Sequence, residues 1–153
     1  TRDVEVTPEK TKLDGEESWA IGVSLMNGYE LPVEIAIQLN NVGGPSAGMM
    51  FALGIVDTLT PGEMTGGEHI AGTGTIEADG TIGPIGGIRQ KLYGARDAGN
   101  DYFLAPESNC NEVVGHVPSG LQVISTSTLE ESIEAVEAIA QGDTENLPTC
   151  AGS

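Results

Sequence analysis

One serine, Ser46, stands in the run Asn41-Val42-Gly43-Gly44-Pro45-Ser46-Ala47-Gly48, between two segments of different period. Upstream, Val33-Glu34-Ile35-Ala36-Ile37-Gln38-Leu39 alternates apolar and polar residues as a half-buried strand does. Downstream, Met49-Met50-Phe51-Ala52-Leu53-Gly54-Ile55-Val56 is apolar on every side, as suits a helix buried within a domain. Ser46 would therefore sit where a strand hands over to a buried helix spanning about residues 45–59. Gly43 and Gly44 remove side chains there, and Pro45 fits a first helical turn, where its missing N–H costs nothing. Free N–H groups and the positive end of the helix dipole would surround the hydroxyl, a setting that holds negative charge. Three readings are open: a helix cap, a phosphate cradle, or a nucleophile whose oxyanion rests on those N–H groups. No Gly-Lys-Ser/Thr follows, which excludes a P-loop. The nucleophile reading requires a base elsewhere in the chain.

Candidate bases are few. Of the three lysines, Lys10 and Lys12 fall in a polar N-terminal segment, and Lys91 follows Pro84-Ile85-Gly86-Gly87 at the start of a helical pattern. A lysine there is either a solvated residue of an amphipathic helix or an amine poised beside a helix N-terminus, where a cation is disfavoured. His69 lies in a Gly-rich stretch and His116 near a turn, and neither shows a carboxylate partner pattern, so both read as structural or solvated. Nothing in the spacing supports a Ser-His-Asp triad.

The elements that must position these residues can be read in order. Residues 1–18 are polar and extended, with Val4 and Val6 in an edge strand. Trp19 to Met26 reads as a strand, Asn27-Gly28 as a hairpin turn, and residues 31–39 as its return. Thr60-Pro61-Gly62-Glu63 ends the buried helix. Residues 69–85 are Gly-rich and β-branched, with a second hairpin signal at Asp79-Gly80. A helix over 87–98 has Ile88, Leu92 and Ala95 on one side and stops at Gly99. Asp101 to Pro106 and Leu121 to Ile124 are short strands, with a brief helix or turn at Glu112 to Val117 between them. Leu129 to Gln141 is an amphipathic helix, capped by Ser127 or Thr128 and ended by Gly142.

Composition narrows the function classes. The 153 residues suit one domain, with residues 1–18 as a polar extension and 142–153 as a tail. Six basic against 23 acidic residues give a net charge of −17, which argues against nucleic acid and anionic membranes as partners. No stretch has the length and apolarity of a membrane span or of a signal peptide. The chain opens at Thr1-Arg2-Asp3 without a Met, which reads as a piece excised from a longer protein. Cys110 and Cys150 lack CxxC spacing and flanking histidines, so no metal site is expected. They are two unrelated thiols or one disulfide. The disulfide is the expectation, because Cys150 lies in a polar tail with little else to hold it, and it favours an oxidising compartment.

The blocks Gly44-Pro45-Ser46-Ala47-Gly48, Thr73-Gly74-Thr75-Ile76 and Gly83-Pro84-Ile85-Gly86-Gly87-Ile88-Arg89-Gln90-Lys91-Leu92 resemble the signature blocks of the Lon proteolytic domain. Ala98-Gly99 and Ala105-Pro106-Glu107-Ser108-Asn109 continue the likeness in order, over roughly residues 19–140. The resemblance implies a single compact α/β (α+β) domain of mixed sheets and helices that hydrolyses peptide bonds of polypeptide substrates. It implies Ser46 as nucleophile, Lys91 as general base and Thr73 in support of the lysine, with no metal or organic cofactor. It also implies a homo-oligomer, a hexamer in many relatives. Two features depart from the pattern: no nucleotide motif is present, and Asn41-Val42-Gly43 replaces the acidic residue that often precedes Gly-Pro-Ser. The nearest type is the exported or membrane-anchored bacterial protease joining a PDZ domain to a Lon-like domain, which implies an extracytoplasmic place. The alternatives are a catalytically latent binding module of the same fold, or a small-molecule kinase of the galactokinase–homoserine kinase type. The kinases are much longer and carry motifs absent here.

Overall fold

The computed structural model describes residues 7, 9–13, 16–20 and 44–150. The chain divides into two compact units, Thr1–Ala36 and Ile37–Ser153. In the first, β1 (Glu9–Leu13) and β2 (Glu16–Ala20) form an antiparallel pair in which Glu9 faces Ala20 and Leu13 faces Glu16. The polar segment expected to be merely extended thus contains a strand pair that begins before Trp19. The strand at Val4 and Val6, the remainder of the one through Met26, the Asn27-Gly28 turn and the strand over 31–39 lie outside the described residues.

In the second unit, α1 (Gly48–Leu59) follows a single 3-10 turn, Pro45–Ala47. Next come β3 (Ile70–Gly72), β4 (Thr75–Ile76) and β5 (Ile82–Gly83), then α2 (Ile88–Asp97) and β6 (Tyr102–Pro106). A 3-10 turn at Glu107–Asn109 leads into α3 (Cys110–Val113), β7 (Gln122–Thr126) and α4 (Leu129–Gln141). Strands β3, β6 and β7 make a parallel sheet in that order, and β4 and β5 make an antiparallel pair across the Asp79-Gly80 turn. The family-type α/β architecture expected from the sequence is present.

The sheet is covered on both faces, which is why Phe103, Leu104, Ala105 and Pro106 form an unbroken buried run. Side chains alternate along a strand. Phe103, Ala105 and Val123 therefore meet Ile88, Leu92 and Ala95 of α2 and Val113 of α3. Leu104 and Ile124 point the other way, to Met49 and Leu53 of α1 and Ala135, Val136 and Ile139 of α4. Each fully buried aliphatic side chain contributes about 1.5–3 kcal/mol. Helix α1 differs from the expectation of burial on every side: Met49 and Leu53 are buried, while Phe51, Ile55 and Val56 are partly exposed and Leu59 is 59% exposed. Only the stripe against the sheet and α4 is fully covered.

The C-terminal tail is held more firmly than its polarity suggested. Cys150 is joined to Cys110 by a disulfide, with Cα atoms 4.9 Å apart. Thr149 bridges Ile124 in antiparallel fashion, Ser125 N donates to the Pro148 carbonyl at 2.9 Å, and Leu147 packs on the α1–α4 side of the sheet. Among the described residues no helix is long and apolar enough to cross a membrane.

Candidate active site

The turn carrying Ser46 is shaped by backbone. Gly44 has φ 86° and ψ 164°, a region essentially closed to residues with a Cβ, and from there Pro45 opens the 3-10 turn. The Ser46 carbonyl accepts two hydrogen bonds, from Thr73 Oγ1 at 2.8 Å and from Gly74 N at 2.9 Å. In return, Met49 N donates to the Gly74 carbonyl at 3.1 Å. A Cβ at Gly48 would lie 3.0 Å from Ile76 Cγ2 and 3.3 Å from Ile76 N, so this helix start meets the β4 backbone closely. Thr73 is itself fixed, 2% exposed, with its N–H donating to Leu104 O at 3.1 Å. The serine turn is thus tied through Thr73 to the central strand of the sheet.

Lys91 arrives from the opposite layer. Helix α2 begins after Gly87, whose φ of 72° places it in the left-handed region, and Lys91 N makes a first-turn bond to Gly87 O at 3.3 Å. Ile88, Leu92 and Ala95 bury one stripe of the helix against the sheet. Lys91 lies beside that stripe, half-buried, and its Nζ reaches Ser46 Oγ at 3.4 Å across 45 residues of sequence. Among the described residues Lys91 makes no ion pair; Arg96 and Asp101 form one, at 2.9 Å.

This arrangement brings an amine and a hydroxyl within hydrogen-bond reach, with no carboxylate among the described residues tying down the amine. In its neutral form such an amine can take the hydroxyl proton. The separation is at the long end of the range, as is common before a substrate is bound. The N–H groups of Ser46 and Ala47, at the very start of the helix, have no intrahelical acceptor by construction, and donors of this kind can stabilise a developing oxyanion.

The other sequence candidates fall as follows. Thr73 touches the serine turn, and the hold it exerts is on the Ser46 main chain. His69 is exposed at the far end of β3 from Thr73, where its carbonyl accepts from Asp101 N at 3.2 Å. His116 sits in a turn with Nδ1 3.0 Å from Val114 O. Among the described residues no group of three or more His, Cys, Asp or Glu side chains could hold a metal ion. Asn109 is the residue that sequence reasoning left without a role. It is 2% exposed, and its side-chain amide binds both main-chain groups of Ile85, just upstream of α2. No local pattern signals this, because the partners are 24 residues apart.

Comparison with known proteins gives a consistent picture. The profile of the Lon protease (S16) C-terminal proteolytic domain matches residues 33–140. The Lon protease of Desulfatibacillum aliphaticivorans is 31% identical over 122 residues, covering 78% of this chain and 14% of the relative. Lon protease 1 of Bacillus subtilis (strain 168) is 37% identical over 109 residues, covering 69% of this chain and 14% of its own length. Lon protease 1 of Sorangium cellulosum (strain So ce56) is 37% identical over 93 residues, 59% of this chain and 11% of the relative. The chain thus spans only 11–14% of the length of these three relatives.

Proposed function

Because the chain belongs to the family of Lon protease (S16) C-terminal proteolytic domains, we propose that it is a serine endopeptidase working through a Ser46–Lys91 dyad. The neutral amine of Lys91 takes the Ser46 proton as Oγ attacks the substrate carbonyl carbon. The oxyanion is stabilised by backbone N–H groups at the start of the Ser46 helix. As the tetrahedral intermediate collapses, the Lys91 ammonium gives its proton to the leaving amine, and the C–N bond breaks to leave an acyl-serine. Water, deprotonated by Lys91, then attacks the ester and releases the acid product and the free hydroxyl. The chemistry uses no metal and no nucleotide.

The single observation that carries this reading is the 3.4 Å approach of Lys91 Nζ to Ser46 Oγ. It is tested by following hydrolysis of casein or a fluorogenic peptide. Ser46→Ala is expected to lower the rate by on the order of 10⁴-fold or more. Lys91→Arg is expected to be comparably inactive although it keeps the charge, since a guanidinium is not deprotonated at working pH. Cleavage by either folded variant at the parent rate contradicts the dyad, and no cleavage by the parent chain would favour a latent binding domain.

The finer reading extends to setting. The Cys110–Cys150 bridge supports an oxidising, extracytoplasmic compartment, as in the PDZ–Lon-like exported or membrane-anchored proteases. Polypeptides are the proposed substrates, and a homo-oligomeric ring, hexameric as in relatives, is the proposed assembly. Light scattering of the purified protein checks the last point, with a monomer at micromolar concentration counting against it.

A further inference from the structure

We infer that Asn109 is a positioning residue for Lys91, acting through the main chain of Ile85; this rests on the Ser46–Lys91 reading above. Its Oδ1 accepts from Ile85 N at 2.9 Å, and its Nδ2 donates to Ile85 O at 3.0 Å. One side-chain amide thus satisfies both polar groups of a single residue, as a neighbouring strand would. The same Nδ2 donates to Glu112 Oε1 at 2.9 Å, which fixes which end of the amide faces which partner.

The need for such a clamp follows from the sequence of the loop. Between Ile85 and Ile88, the first residue of α2, lie only Gly86 and Gly87, both exposed and without side chains to anchor them. Gly87 is left-handed, so the direction in which α2 departs is set at a flexible pair. Burial of Ile88 and Leu92 holds the helix against the sheet, but apolar contact is non-directional and leaves sliding and rotation weakly defined. The bidentate Asn109 clamp supplies that definition three residues upstream of α2. A second polar tie from Arg89 Nε to Glu112 O at 3.1 Å secures the helix's first turn to the same segment. Both ties end on residues 109–112, in the 3-10 turn and α3 that follow directly on β6, the strand that also fixes Thr73. The serine and the lysine are thereby referenced to one strand, from opposite layers.

The test uses the rate at which a fluorophosphonate modifies Ser46, resolved into a maximal labelling rate and a half-saturating concentration. Asn109→Ala should lower the maximal rate by ~10- to 100-fold, the cost of displacing a reacting group by about an ångström. The half-saturating concentration should stay at the parent value and the melting temperature well above the assay temperature, which shows that probe binding and folding are intact. Glu112→Ala, which only frees the orientation of the amide, should give a smaller loss in the same direction. In a Lys91→Arg background, Asn109→Ala should add no further loss, because the residue acts through the lysine. Parent-like labelling by folded Asn109→Ala overturns the inference, as does a full additional loss in the Lys91→Arg background. Should Asn109→Ala not fold, Glu112→Ala decides: parent-like labelling there overturns the inference too. Parent-like labelling by Lys91→Arg alone is a different result, one that removes the dyad itself.

Discussion

Thr73 shows how one hydroxyl can matter without touching the reacting atoms. Its Oγ1 shares the Ser46 carbonyl with Gly74 N, so Thr73→Val removes one of two donors and changes the side-chain volume little. The expected stability loss is about 1 kcal/mol, the net worth of one hydrogen bond. Because the serine turn would still be held by Gly74, hydrolysis should slow by only ~10-fold, as for a small misplacement. Thr73→Ser keeps the donor and should restore most of the rate. Equal rates for the Val and Ser variants would contradict the anchoring role. The same logic separates this residue from Lys91, where the conservative Arg is expected to be as inactive as any other replacement.

Among the elements, α4 is the one whose ends are written most clearly in its residues. The Thr128 hydroxyl accepts from Glu131 N at 3.2 Å, and the Glu131 carboxylate accepts from Ser127 N at 2.7 Å and Ser127 Oγ at 2.8 Å. Thr128→Ala should therefore cost about 1 kcal/mol in a denaturant titration. The backbone N–H of Ser127, followed by its hydroxyl, holds the Glu131 carboxyl below its ordinary 4.5. A carboxyl held low contributes its stability fully above its ordinary value and loses it as the pH falls through the depressed one. Melting followed from pH 6 downward should fall less steeply in Glu131→Gln than in the parent, and parallel curves would contradict the assignment. Helices α2 and α4 were legible because a periodic apolar face and its end residues agree. Three features were not: α3 starts at Cys110 rather than Glu112, α1 is buried on one stripe only, and the tail runs beside β7. Each depends on which distant surface an element meets, and local pattern carries no record of that. Ser46 and Lys91 were singled out through the family-like blocks and lie 3.4 Å apart, whereas the Asn109–Ile85 clamp is a non-local pairing of a polar side chain with main chain.

At the scale of the molecule, the Cys110–Cys150 bridge closes 40 residues around β7. In the chain-entropy account a loop of that length stabilises by about 4 kcal/mol. Reduction should lower the melting temperature by on the order of 10 °C while leaving the fold in place, since Leu147, Pro148 and Thr149 keep their contacts with the sheet and α1–α4 layer. Calorimetry with and without reductant measures this, and an unchanged melt would show that the bridge contributes nothing. The larger claim is that two layers of the second unit, each tied to the central strand β6, bring one serine and one lysine together as a catalytic pair. Mass-spectrometric mapping of the fluorophosphonate adduct, in the parent and in folded Lys91→Arg, tests it most directly. An adduct on Ser46 is expected in the parent, with its formation slowed to a small residual rate in Lys91→Arg; an adduct on another serine, or equal labelling of both proteins, would contradict the catalytic pair.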